Sequence, residues 1–258
     1  MNKIVLTLLT ISSLVFAMDV NEIVQKVDTR DDGDNIISNM SMVLIDKANK
    51  QRVRSMRTFT KDFGVDTHKT IFFLAPSDVK NTAFLTYDYD DDNKDDDQWL
   101  YLPALKKTKR IASTDKSGSF MGSDFSYSDM TKPDLTDYTY KIVKEKKVDK
   151  HNTWIIERLP KTEAIVDETG YKKSYIFVRQ DNFVVVRAMH YLDDGKKKYM
   201  NVKKLEKIEG IWIATEIEMK TTKNKKRLHS TILQFSDVKL NQKLNKNQFS
   251  VRQLEKGI

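Results

Sequence analysis

Four histidines, His68, His151, His190 and His229, are the whole imidazole complement of this 258-residue chain. None stands at a spacing that makes a metal-binding or catalytic pair, and no HExxH motif occurs. His68 and His190 fall inside apolar strand-like stretches, where a hydrogen-bonded structural histidine is the ordinary outcome. His151 falls in a turn and His229 in a basic strand. A Ser–His–Asp constellation is spatial, so one sequence leaves it open, but there is no GxSxG elbow to mark a nucleophile. Gly118-Ser119-Phe120-Met121-Gly122 lacks the Lys-Ser/Thr ending with which a phosphate loop grips its ligand. The run Asp88–Asp97, DYDDDNKDDD, places Asp88, Asp90 and Asp92 at the odd positions of a calcium loop. Its sixth position is Asn93 rather than Gly and its twelfth Trp99 rather than Glu. A solvated acidic hairpin tip accounts for the run better than a metal site does. Glu163, Asp167 and Glu168 lie close together before Gly170, yet paired carboxylates work only at fixed distances with separated pKa values; a solvated turn is the simpler reading. With no cysteine there are no thiolate sites. The expectation is therefore a protein that is not an enzyme and uses neither metal nor cofactor.

The residues that ask for a partner are apolar. Trp99–Leu102 reads as a strand that Pro103 stops, and a short basic stretch, Lys106–Arg110, follows. Next comes a segment rich in Ser, Gly and Asp that still carries Phe120, Met121, Phe125, Tyr127 and Met130. Loops are normally polar because they lie in water, so these five side chains must be covered by the body of the protein, a ligand or a partner. They could be an ordinary plug of core on the open side of a sheet. Alternatively, Ser117, Gly118, Ser119, Gly122, Ser123 and Ser126 could hinge a lid over an apolar cavity, with some of the chain's ten methionines as adaptable lining. The residues alone leave both open.

WLYLPALKK (99–107), followed by SGSFMGSDFSY (117–127) and an acidic residue, resembles the signature of the periplasmic LolA-like family of outer-membrane lipoprotein-sorting-type proteins, and within it the exporter-associated branch. The similarity extends through Tyr175–Val178, Gly210–Ile213 and Phe249–Leu254. The resemblance implies an incomplete antiparallel β-barrel covered by helices or loops, with a greasy interior that takes acyl chains or another apolar ligand. It implies work in envelope lipid or lipoprotein traffic, beside an RND-type inner-membrane exporter, and it favours the cavity over the plug. The candidate lining and lid residues are then Trp99, Tyr101, Phe120, Met121, Phe125, Tyr127, Met130, Trp154, Tyr175, Phe177 and Trp212.

The N-terminus agrees with export. Lys3 supplies a positive n-region, Ile4–Leu14 an apolar core, and Val15-Phe16-Ala17 a small-residue cleavage site, the order of a signal peptide over residues 1–17. The apolar run falls short of the roughly 20 residues a spanning helix needs. The expected location is the periplasm. The formal charge of +8 would suit an anionic polymer, but an export signal argues against nucleic acid; most of these lysines read as solvated strand faces and turns.

Met18–Asp28 spaces Val20, Ile23, Val24 and Val27 as one face of a short amphipathic helix, fit to lie over an open sheet. Strand patterns follow at 37–46, 51–61, 65–75 and 81–89, and after the central loop at 138–149, 153–159, 173–179, 184–192, 197–208, 212–222 and 227–237. Turn signals such as Asp193-Asp194-Gly195 and Glu209-Gly210 separate them. Strands joined by short turns, apolar on one face, predict a mainly β fold: one curved antiparallel sheet, wet on its outer face and covered on its concave side by the N-terminal helix and the central loop. Residues 18–258 are expected to be one domain and a monomer. Two functions suit this reading: a carrier that shields lipid or lipoprotein acyl chains, or an accessory subunit that docks on an exporter through the loop. An esterase-like enzyme is the poorer third.

Overall fold

The computed structural model describes residues 18–91 and 93–258. The expected signal peptide and Asp92 of the acidic run lie outside them. Helix α1 (Val20–Asp28) starts where the Asp19 carboxylate accepts from the Asn21 amide at 2.8 Å, a side-chain cap on an otherwise orphaned donor. Its Ile23 and Val24 are buried. A turn through Gly33, whose φ of +85° only glycine adopts freely, delivers the chain into thirteen strands.

These are β1 (Asn35–Ile45), β2 (Gln51–Phe63), β3 (Asp66–Ala75), β4 (Ala83–Asp88), β5 (Asp97–Leu102), β6 (Lys107–Arg110), β7 (Tyr138–Val148), β8 (His151–Pro160), β9 (Lys173–Arg179), β10 (Val185–Tyr191), β11 (Lys196–Ile208), β12 (Ile211–Lys223) and β13 (Lys226–Leu240). Helix α2 (Glu163–Thr169) sits between β8 and β9, and α3 (Val251–Lys256) ends the chain. All thirteen form one antiparallel sheet in the order β6-β5-β4-β3-β2-β1-β13-β12-β11-β10-β9-β8-β7. Two meanders are thus welded through β1 and β13, with Met42 opposite Leu233 and Met40 opposite Phe235. The sheet is not closed: β6 and β7 are its two edges.

That order decides where the aromatic loop goes. Residues 111–137 leave one edge strand and enter the other, so they have to cross a face of the sheet. Strand partners share a face, so this inner face can be followed across the register. Ile142, Ile156, Ile176, Ala188, Met200 and Met219 form one row over β7–β12. Ile23 and Val24 of α1 pack over β8 and β9, against Trp154, Ile156, Ile176 and Val178. The loop packs on the rest, with Phe120, Phe125 and Met130 against Met42, Phe73, Phe84 and Leu233.

Three features depart from the sequence reading. The outer face is not wet throughout: over β2–β5, α3 covers it, and Leu254 and Phe249 pack with Phe59, Phe72 and Leu85. The runs TIFFLA and AFLTYD, apolar at successive positions, are what strands buried on both faces look like. The basic stretch after Pro103 is an edge strand, β6, and the opposite edge, β7, carries Lys141, Lys144, Lys146 and Lys147. Lysine along an open edge discourages pairing with another chain, which gives much of the net charge a structural place. Finally, Glu163–Thr169 is a helix rather than a turn. Thr162 caps its start, accepting from the Ile165 amide, and Gly170 ends it at φ +74°.

Candidate apolar binding site

The loop owes its shape to polar residues and its burial to aromatic ones. At its tip Met121 and Gly122 take left-handed conformations, with φ of +50° and +72°, and reverse the chain. This turn lets the Phe120 amide donate to the Phe125 carbonyl at 2.8 Å and the Tyr127 amide to the Gly118 carbonyl at 3.0 Å. Left-handed backbone costs a residue with a Cβ on the order of 1 kcal/mol, and Arg54 helps hold it by donating to the Met121 carbonyl at 2.5 Å.

Long-range tethers fix this hairpin-like segment to the sheet. The buried Asp124 carboxylate accepts from Thr221 (2.5 Å), Thr231 (2.8 Å) and His229 (2.5 Å), all on β12 and β13. Asp129 accepts from the Tyr171 hydroxyl at 2.8 Å and from the Ser126 amide at 2.7 Å. Lys116, buried, donates to Glu168 of α2 at 2.6 Å. Gln98 of β5 reaches the Tyr127 carbonyl at 2.9 Å, and Lys69 of β3 the Met130 carbonyl at 3.0 Å. Ser and Gly in the segment therefore serve a tied-down structure, and the sequence reading did not single out Lys69, Gln98, Lys116, Asp124 or Asp129 as its anchors.

The loop does not fill the inner face. Between it and β1–β3, β12 and β13 lies a cavity of about 410 Å³ with a predominantly apolar wall of Met40, Ile71, Phe120, Phe125, Met130 and Leu233. Trp212, Ile213 and Ile217 line its β12 side. Beyond the loop tip a second cavity of about 610 Å³ has a mixed wall, with Leu44 and Leu228 beside Arg52, Lys196 and His229. Met42 and Leu44, neighbours on the inner face of β1, belong one to each space. The loop tip lines both, with Gly122, Ser123 and Asp124 on the larger space and Phe120 and Phe125 on the apolar one.

Of the side chains expected to form the site, Phe120, Phe125, Met130 and Trp212 line the apolar cavity. Met121 and Tyr127 pack against the same core from the loop, and Tyr127 meets Phe84 and Phe120 in tilted and edge-on ring contacts. Trp154 is on the inner face but under α1, stacked on Phe183. Trp99 and Tyr101 are not brought to the cavity. They share a face with Tyr87 and Phe249, toward α3, because their alternation partners Leu100 and Leu102 take the inner side. Tyr175 and Phe177 likewise alternate with the buried Ile176 and Val178 and lie outside, where the Tyr175 hydroxyl donates to Glu157 at 2.8 Å. On both strands the aromatic residues seemed the greasier choice, yet the aliphatic ones went in.

The groups with chemical potential are placed as structure. His190 is buried, hydrogen-bonded to Ser174 at 2.8 Å and stacked on Tyr171, and burial pushes its pKa down to about 3. So weak a base beside an equally buried Ser174 is poorly set to activate a nucleophile. His68 is stacked between Phe63 and Tyr87 with centroids 4.3 and 3.9 Å away. His151 is near Asp181 at the surface. In the acidic run, Asp96 accepts from the Tyr89 amide at 3.0 Å and Asp97 from the Tyr89 hydroxyl at 3.0 Å. Asp91 caps the turn at Asn93. Among the described residues no group of three His, Cys, Asp or Glu is placed to hold a metal ion, and no helix is long and apolar enough to cross a membrane.

The fold and this site have relatives. A DUF1329 family protein from Desulfovibrio piger superposes with a TM-score of 0.81 at 30% identity, over 90% of this chain and 95% of its own. A proposed outer membrane lipoprotein-sorting protein domain from Vibrio parahaemolyticus gives 0.81 and 30%, over 91% and 97%. A LolA superfamily protein from Nitrosomonas europaea shares the fold at 18% identity, with a TM-score of 0.68 over 92% of this chain and 99% of that one. No curated protein matches. A family model described as "uncharacterized protein" matches residues 65–256. With that match and relatives 30% identical along nearly their whole length, the chain belongs to the LolA-like family of outer-membrane lipoprotein-sorting-type proteins.

Proposed function

We propose that the chain is a periplasmic carrier that shelters lipid or lipoprotein acyl chains in transit across the envelope. In this reading residues 1–17 are removed on export, residues 18–258 act as one monomeric domain, and an RND-type inner-membrane exporter is the partner at one end of the route. The observation that carries it is the apolar cavity of about 410 Å³ between the loop and the inner face. Small-molecule sites run from about 300 to 1,000 Å³. Burying one methylene contributes about 0.8 kcal/mol, so eight of them give about 6 kcal/mol before the cost of ordering the chain. Such a site needs little polar chemistry, and Met40, Met42 and Met130 offer the adaptable surface a variable hydrocarbon requires. The name of the Vibrio parahaemolyticus relative points the same way. Burial of Phe120, Phe125 and Met130 favours the loop as a cavity wall over the loop as a docking surface.

The test is displacement of a fluorescent fatty-acyl probe from purified protein, beside native mass spectrometry of protein taken from the periplasm. Wild type should bind the probe and carry lipid. Ile217→Trp, which puts an indole into the cavity from β12, should lose binding while keeping its melting temperature. Folded wild type that neither binds the probe nor carries lipid would refute the proposal.

A further inference from the structure

Lys69 is out of place. On β3 it shares the inner face with Ile71 and Phe73, both buried core residues, and it lines the apolar cavity. Lysine has three N–H donors. The one hydrogen bond from the Lys69 ammonium goes to the Met130 carbonyl at 3.0 Å, and among the described residues no carboxylate oxygen lies within ion-pair distance of it. The acidic residues of the same wall are engaged elsewhere, Asp32 with Lys132 at 3.3 Å and Asp129 with Tyr171 and Ser126. Arg30 is turned to the Asp31 and Trp212 carbonyls. Burial holds the Lys69 amine below its ordinary pKa, with Asp88 opposing. A cation set in such surroundings with donors to spare is costly unless something pairs with it.

The register shows that the cavity is graded along the strands. At one end Lys69 pairs with Thr60, and Thr60 with Ile36. The next inner row holds Ser38 and Thr58, hydrogen-bonded to each other at 2.7 Å, beside Ile71. The row after that is Met40, Met56 and Phe73, wholly apolar. A ligand lying along β1 would pass from Lys69 and the Ser38 and Thr58 hydroxyls to Met40 and Met42. We propose that the cavity selects a single-chain amphiphile with an anionic head group, a carboxylate or a phosphate monoester, whose charged oxygens accept from Lys69 while the tail lies over Met40, Met42 and Leu233. The inference rests on the carrier reading and narrows its cargo: a chain esterified or amidated to a lipoprotein offers no such anion at its end.

The experiment titrates wild type, Lys69→Met and Lys69→Gln with dodecanoate, dodecyl phosphate and dodecanol, three ligands with one tail. Charge-assisted hydrogen bonds in a desolvated site should make one or both acids bind wild type roughly tenfold or more tighter than the alcohol; whichever acid binds better identifies the head group. Either folded variant should bind all three within about twofold of one another. Equal affinity of wild type for acid and alcohol overturns the proposal without any variant, and so does a Lys69 variant that keeps the preference. Binding of dodecanol alongside either result leaves the carrier reading standing. Binding of none of the three removes both.

Discussion

Replacing Asp124 by alanine should free the loop tip while leaving the sheet in place. The carboxylate accepts from Thr221, Thr231 and His229 at 2.5–2.8 Å, and hydrogen bonds to a charged group contribute about 1.5–3 kcal/mol each. His229 is half exposed, so water replaces its partner at little cost, and the contributions of one cluster do not add. The two buried threonine bonds then set the scale, about 3 kcal/mol for the segment around residues 119–127. That difference corresponds to more than a hundredfold in the equilibrium for local opening. Amide hydrogen exchange reads it residue by residue. The amides of Phe120, Ser123 and Tyr127, which bond within the loop at 2.8–3.0 Å, should exchange on the order of a hundredfold faster in Asp124→Ala. Those of Met42 and Leu233 in the sheet should be unchanged. Loop amides as protected as in wild type, or protection lost equally from β1 and β13, would refute the idea that this carboxylate holds the loop down.

Two buried titratable groups tilt stability in opposite directions with pH. His190 is held at about 3 by burial against an ordinary 6.5, so only the unfolded chain takes its proton between those values and stability is lost as pH falls through the window. Asp88 is pushed up to about 7, chiefly by burial and then by Asp96, so here the folded chain keeps the proton and stability is lost as pH rises from about 4 to 7. Urea melts should show Asp88→Asn gaining about 2–4 kcal/mol over wild type at pH 8 and little at pH 4; a gain that is the same at both pH values would contradict this. Leu254→Ala on α3, at a fully buried position on the outer face, should cost about 2–5 kcal/mol in a thermal or urea melt. It should leave acyl-probe affinity intact below the transition, and loss of binding in the folded variant would tie α3 to the site.

What the sequence showed and what it hid follow from how far each interaction reaches along the chain. Strand alternation is local, and twelve of the thirteen strands were legible within a few residues of their ends; only β6, four residues long and basic, was not. The helix over the inner face was readable from the spacing of Val20, Ile23, Val24 and Val27. Face assignment was harder, because alternation says that Trp99 and Leu100 point apart without saying which goes in. Size and aromaticity misled at Trp99, Tyr101, Tyr175 and Phe177, whereas the aliphatic Leu100, Ile176 and Val178 lie on the inner face. The anchors of the loop were invisible for a different reason: Asp124 meets Thr231 across 107 positions of sequence, and nothing local distinguishes that aspartate from its neighbours in a Ser-Gly-Asp stretch. Lys69 is the instructive intermediate. Its inner-face neighbours at two-residue spacing, Ile71 and Phe73, are core, so a lysine in that series is a local anomaly. Such an anomaly needs the opposite wall, Met130 and Leu233, before it reads as a group waiting for an anion rather than as a strand end reaching for water.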